Sequence, residues 1–313
     1  MEFTTKVNIP KSSFDITHKD KLLLLGSCFT ENIGDYLKNY QFPVHTNPFG
    51  IIYHPISIFN SLENIISQKK YTESDLIYHN ELFISLEHHG DFSGTNKENV
   101  LSNINTAIEK SHTFFNLSNY IVITLGTSFV YEYIAQHKIV ANCHKIPNTA
   151  FKKRLLSVSE IVDAFHKFST KITDKTILFT VSPVRHWRDG ASENLRSKSI
   201  LIESIHQIIE QNSNCFYFPA YEIMMDELRD YRYYAEDMLH PNIVAVKYIW
   251  KRFSETYFSE KTAQINQRIE KINLLLQHRI KNENTNAKLE FEQKVAQTIA
   301  DFKHDFPDIN VQF

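Results

Sequence analysis

The chain is poor in glycine and cysteine, with seven and three respectively in 313 residues. So little glycine excludes a collagenous or linker-rich architecture. The cysteines, Cys28, Cys143 and Cys215, are an odd and widely spaced set. That excludes a disulfide framework and fits reduced thiols in a reducing compartment. Long apolar runs are also missing. The first apolar stretch, Leu22 to Leu25, is too short for a signal sequence or a membrane span, and no basic segment precedes it. The expectation is a soluble, cytoplasmic protein without a membrane span. Nor is one sign of charge in excess: 34 Lys and Arg face 36 Asp and Glu, a formal net charge of −2. Nothing there calls for a nucleic-acid partner. What the chain does have is apolar material, at 42%, including 23 Phe and 15 Tyr, enough for a substantial core.

Short apolar runs alternate with amphipathic stretches, the pattern of a parallel sheet covered by helices. Leu22-Leu-Leu-Leu-Gly26 reads as a buried strand. Immediately after Ser27 the period changes: Phe29, Ile33 and Leu37 recur every four residues, so a helix starts there. Further helices are expected from Ile56 to Ser67, Val100 to Phe115, Ser159 to Ser169 and Asn194 to Gln211. The last would place Leu195, Ile202, Ile205 and Ile209 on its apolar side. Strands are expected over 120–126, 176–182 and 215–219, with strand and loop between Leu76 and Ser93. Four such strands with intervening helices predict an open, doubly wound sheet that binds ligands beyond its carboxyl edge. From Thr262 onward Ile265, Ile269, Ile272 and Leu276 keep helical spacing. Asn282 to Asn286 interrupts it, and Leu289, Phe291, Val295, Ile299 and Phe302 resume it. This predicts a main domain over 1–260 and a helical hairpin over 261–313, packed on the core or on a second copy of the chain.

Ser27 stands between a strand and a helix. A serine there can present its hydroxyl at the sheet edge, beside amides able to bind an oxyanion. It can equally be a plain helix N-cap. Cys28 could act as a thiolate or as a small core residue. Downstream, Asp237-Met-Leu-His240-Pro241 places an acid three residues before a histidine. The acid can accept the Nδ1 proton and leave Nε2 as a general base, and Pro241 biases His240 towards extended backbone. The fifteen histidines suggest no metal site, because no pair has convincing ligand spacing with a carboxylate. Neither a metal nor any other cofactor is expected.

Gly-Ser after the first strand and Asp-x-x-His-Pro after the last resemble the SGNH (GDSL-like) hydrolases. The wording is nearer still to the GSCFA family within that group. Gly26-Ser-Cys-Phe-Thr30 departs from the family's name motif only at its last letter. Asn47-Pro-Phe-Gly50, Leu125-Gly-Thr-Ser128, Asn142-Cys-His-Lys145 and Ser182-Pro-Val-Arg-His186 are similar to its other blocks. The likeness covers roughly residues 1 to 255. It implies a three-layer α/β/α sandwich around a mostly parallel, doubly wound, flavodoxin-like sheet, followed by the C-terminal helical extension. It also implies a triad of Ser27, Asp237 and His240. For the oxyanion hole it implies the Ser27 amide, Gly50 and, where the group usually has asparagine, Ser128, with Asn47 and Asn142 as alternative donors. Gly126, Thr127, His144, Arg185 and His186 would contact substrate. The activity so implied is a carboxylic-ester hydrolase or acyl transferase acting on an acylated small molecule or carbohydrate. The alternative is a binding protein for a carbohydrate or metabolite on the same fold.

Overall fold

In a computed structural model that describes residues 4–278, 286–311 and 313, the chain forms three layers around a five-stranded parallel sheet. Its strands are β1 (Leu22–Gly26), β2 (Val44–Thr46), β5 (Tyr120–Leu125), β9 (Thr176–Val181) and β10 (Cys215–Phe218), in the spatial order β10-β9-β5-β1-β2. The order is that of a doubly wound sheet. The chain steps from β1 outward to β2, then crosses back to lay β5 on the other side of β1. The crevice between the ends of β1 and β5 is therefore the switch point, where such folds bind ligands. In register, Leu22 faces Tyr120 and Gly26 faces Thr124.

Alternation along the strands separates two cores, because successive side chains of a strand point to opposite faces. Leu23, Leu25, Ile121, Ile123, Ile177 and Phe179 pack under one helical layer. That layer comprises α2 (Pro55–Ile66), α3 (Lys97–Leu117), α4 (Val158–Ser169) and α5 (Ala191–Gln211). Leu22, Leu24, Val122, Leu178 and Phe218 pack under the other. It holds α1 (Cys28–Asn39) and α7 (Ile243–Tyr257), with a short α6 (Ala220–Glu222) that runs on into a π-helical turn (Ile223–Glu227).

Two small antiparallel additions were not foreseen in detail. A hairpin pairs β3 (Ile77–His79) with β4 (Leu82–Ile84). A three-stranded sheet, ordered β7-β6-β8, inserts between β5 and α4 from β6 (Phe129–Tyr133), β7 (Lys138–Val140) and β8 (Phe151–Leu155). Strand β2 and helix α7 were also missed. The expected apolar side of α5 needs correction. Leu195 is 59% exposed, whereas Leu201, Ile205 and Ile208 are fully buried. The helix meets the sheet through Asn194, Ser197, Lys198, Leu201, Ile205 and Ile208, so polar residues share the buried stripe.

The C-terminal helices are α8 (Glu260–Gln277) and α9 (Asn286–Asp305). The interruption expected from Asn282 falls, up to position 285, outside the described residues. Ile265, Ile269, Ile272 and Phe302 form a cluster of their own, packed against Tyr40 beyond the end of α1. The Thr262 hydroxyl donates to the Ile16 carbonyl, and the Asn273 amide to the Asn39 carbonyl at 2.8 Å. The hairpin thus sits at the far end of α1 from Ser27. No helix among the described residues is long and apolar enough to cross a membrane.

Candidate active site

Gly26 ends β1 with φ +146°, a value L-residues rarely adopt. A Cβ there would overlap the Thr124 carbonyl oxygen on β5. This glycine lets the chain turn from strand to helix tightly against its neighbour. Ser27 follows with extended backbone (ψ 175°) and caps α1, its hydroxyl accepting from the Phe29 amide at 3.3 Å. Its own amide makes a long bond of 3.3 Å to the Thr124 carbonyl. The Cys28 amide is the first of the helix and has no intrahelical partner by construction. Ser27 is therefore both a cap and a hydroxyl at the switch point. Cys28 is half-buried, and burial raises its thiol pKa, which argues against a resting thiolate.

The second half of the site is the loop between residues 234 and 242. Asp237 Oδ2 joins His240 Nδ1 at 2.5 Å. Its other oxygen, Oδ1, accepts from the Leu239 and His240 amides at 2.9 and 3.0 Å. Those two amides, followed by the imidazole, hold the Asp237 carboxyl down at about 2. The array fixes the ring and leaves Nε2 without a protein partner among the described residues. Met238 pays for the tight loop with φ +59°. Pro241 bridges to Tyr234, and Asn242 caps α7 by accepting from the Val244 and Ala245 amides at 3.0 and 3.1 Å. The Leu239 carbonyl accepts from the Arg185 amide at 3.2 Å, which fastens the histidine loop to the segment after β9.

That segment, Ser182 to His186, lies beside the end of β5. Gly126 has Tyr53 and His186 so close that a Cβ would come within 2.9 Å of Tyr53 Cβ and 3.2 Å of His186 Nε2. Burial lowers the His186 pKa to about 4, with the Lys198 and His240 charges acting in the same direction. His186 is thus a neutral imidazole, its buried Nε2 without a protein partner. Through His186 and Gly126 the His240 loop reaches the β5 side of the crevice that Ser27 lines from β1. No hydrogen bond among the described residues joins Ser27 to His240.

The expected oxyanion donors separate on inspection. Ser128 is fully buried, its hydroxyl donating to the Ser197 carbonyl of α5 at 3.2 Å and its amide to the Ser197 hydroxyl at 2.8 Å. This corrects the placement of Ser128 as a donor. The Gly50 amide is likewise taken, by the Asn47 carbonyl at 2.8 Å inside its own turn. Asn142 is tied to the His144 amide at 2.9 Å. Asn47 fits better. Its Oδ1 accepts from the Gly26 amide at 2.9 Å, beside Ser27, and its Nδ2 makes only a long contact of 3.4 Å to Glu31.

Of the expected substrate contacts, the Thr127 hydroxyl is paired with Ser197 at 2.9 Å. His144 is bound through Nε2 to the Ser85 and His88 carbonyls at 2.7 and 3.1 Å. Arg185 stacks over the half-exposed Trp187 at 4.5 Å and leaves Nε unpaired. Sequence reasoning missed Tyr53, Asn194, Ser197 and Lys198. Spacing could have found the last three: 194, 197, 198 and 201 fall on the same helical stripe as Ile205 and Ile208. Among the described residues, no group of three or more His, Cys, Asp or Glu side chains is placed to hold a metal ion.

Fold and site together define a doubly wound α/β protein with a serine at its switch point and an Asp–His pair on the adjoining loop. The chain belongs to the GSCFA family, whose model matches residues 21–253. No curated protein matches the sequence. Among solved structures it is similar to an acetyl xylan esterase from the rumen bacterium Butyrivibrio proteoclasticus, at 12% identity and a TM-score of 0.40. The similarity covers 79% of this chain and 64% of that one, so this chain spans less than two thirds of the esterase.

Proposed function

We propose that this chain is an SGNH-type serine ester hydrolase or acyl transferase, with Ser27 as nucleophile, His240 as base and Asp237 as its partner. The observation that carries the reading is the Asp237–His240 pair. A charged carboxylate fixes Nδ1 and leaves Nε2 open, on a loop fastened to the switch-point crevice. Ser27 Oγ attacks the acyl carbonyl as His240 Nε2 takes its proton, and the Asp237 carboxylate stabilises the imidazolium that results. The Cys28 amide and Asn47 Nδ2 donate to the oxyanion. His240 then protonates the leaving alcohol. Water completes hydrolysis and a second alcohol completes transfer. The substrate class is an acylated small molecule or carbohydrate.

The second reading, a non-catalytic binder of carbohydrate or metabolite, is favoured by one observation. The Ser128 hydroxyl and the Gly50 amide are both committed to internal bonds. Hydrolysis of a short-chain acyl ester by wild type, Ser27→Ala and His240→Ala separates the two. The enzyme reading expects turnover in the wild type and a loss of about three orders of magnitude or more in either variant. Equal rates in all three proteins would favour the binder.

A further inference from the structure

Lys198 is fully buried on α5, yet it makes no ion pair with a carboxylate among the described residues. Its ammonium donates to the Gly126 carbonyl and to the Ser182 carbonyl, each at 2.7 Å. These are the first residues past the ends of β5 and β9. The β5–β9 ladder makes its last bond from the Ser182 amide to the Leu125 carbonyl at 2.8 Å, and beyond it the strands part. Two carbonyls left in that parting would be buried acceptors without donors, an expensive arrangement that a single ammonium resolves. The two anchored residues are consequential. Gly126 packs on Tyr53 and His186, and Ser182 begins the segment whose Arg185 amide holds the histidine loop. We propose that Lys198 is a positioning residue of the site: it clamps the diverging ends of β5 and β9, so fixing the His186 and His240 segment against Ser27.

The groups that face Lys198 are Cys28 on α1, His186 after β9, and Glu222 and Tyr221 after β10. Burial dominates its environment and lowers its pKa to about 7, while Cys28 and Glu222 oppose that shift. The Arg185 amide, bonded to the Leu239 carbonyl at 3.2 Å, provides a reporter of the clamp that does not depend on any acyl chemistry.

The inference rests on the hydrolase reading for its catalytic consequence only. The test compares wild type, Lys198→Met and Lys198→Gln in two assays. One is the rate of Ser27 modification by a fluorophosphonate, together with kcat and KM for a short-chain ester. The other is hydrogen exchange at the Arg185 amide, measured by NMR against the amides of α8. Lys198→Met should lower kcat and the Ser27 labelling rate by about 10- to 100-fold with little change in KM. It should also speed hydrogen exchange at the Arg185 amide by about 10-fold or more relative to the amides of α8. Lys198→Gln, which can still donate to a carbonyl, should recover part of both values. A folded Lys198→Met with wild-type labelling and wild-type exchange at Arg185 overturns the proposal, even if its melting temperature drops. If Lys198→Met fails to fold, Lys198→Gln decides: wild-type values in both assays overturn the proposal. If wild type itself neither reacts at Ser27 nor cleaves esters, the hydrolase reading falls. Lys198 is then judged by the Arg185 exchange alone, and an unchanged rate rejects it.

Discussion

At the scale of single residues, the site is built from groups whose environments push them towards one protonation state. The Asp237 carboxyl, held at about 2 by two amides and an imidazole, is a carboxylate at any pH where the protein works. Its folded value is depressed, so the stability it lends the loop is fully present above the ordinary carboxylate range of about 4. That contribution is lost as pH falls through about 2. A carboxyl titration by NMR should place the Asp237 midpoint near that value. A midpoint at the ordinary aspartate value would mean that the two amide bonds are not formed in solution. Asp237→Asn should lower kcat by several orders of magnitude with KM nearly unchanged, because it disturbs tautomer and charge rather than substrate contacts. Asn47 carries a second residue-scale expectation. Asn47→Ala should cost about two to three orders of magnitude in kcat as an oxyanion donor, whereas Ser128→Ala should act on stability alone. The opposite pattern would return Ser128 to the oxyanion hole.

At the scale of elements, the strand ends and helix caps that aim these residues are also the parts most open to testing. Asn242 caps α7 and, through Nδ2, donates to the Arg232 and Tyr234 carbonyls at 2.7 and 3.3 Å. One side chain thus closes the histidine loop and starts the next helix. Asn242→Ala should destabilise the protein by about 1–2 kcal/mol in denaturant unfolding. It should also slow Ser27 labelling, since the loop loses its anchor. Gly26→Ala should be worse, because the backbone of β5 blocks the added Cβ. The elements differ in how visibly the sequence announces them. Strands β1, β5 and β9 are nearly continuous apolar runs, interrupted only by threonines, because both faces are buried, and they were readable. Strand β2, Val44–Thr46, has three half-buried residues at the sheet edge and carries no such run. Helix α7 was hidden because its stripe, Ala245, Val246, Ile249, Trp250 and Phe253, opens with two exposed residues, Ile243 and Val244. The Asp–His pair was legible from its spacing only in combination with the Gly-Ser after the first strand and the family resemblance, although three residues suffice to close the loop. Lys198 was not, because a lysine in a helix reads as surface until its stripe is compared with Leu201 and Ile205.

At the scale of the whole molecule, the Ser27 edge of the sheet and the C-terminal hairpin lie at opposite ends of α1, which at twelve residues is about 18 Å long. Phe302 is fully buried in the hairpin's cluster. Phe302→Ala should therefore cost about 3–5 kcal/mol of stability wherever that cluster unfolds with the rest. It should leave the labelling rate of folded Ser27 unchanged. A parallel loss of labelling in folded protein would couple the hairpin to the site and contradict this separation. The sheet order, with its switch point between β1 and β5, explains why residues as far apart in sequence as Ser27, Gly126, His186 and His240 meet at one edge. Alternation and spacing could show that such a sheet exists, but not which neighbours its strands take. The central claim is that Ser27 is a nucleophile activated by His240. Its most direct test is fluorophosphonate modification of wild type and His240→Ala, each digested and mapped. The account predicts a single adduct on the peptide containing Ser27 in wild type, and its near-complete loss in a folded His240→Ala. An adduct on Cys28 or elsewhere with none on Ser27, or undiminished Ser27 labelling without His240, would contradict it.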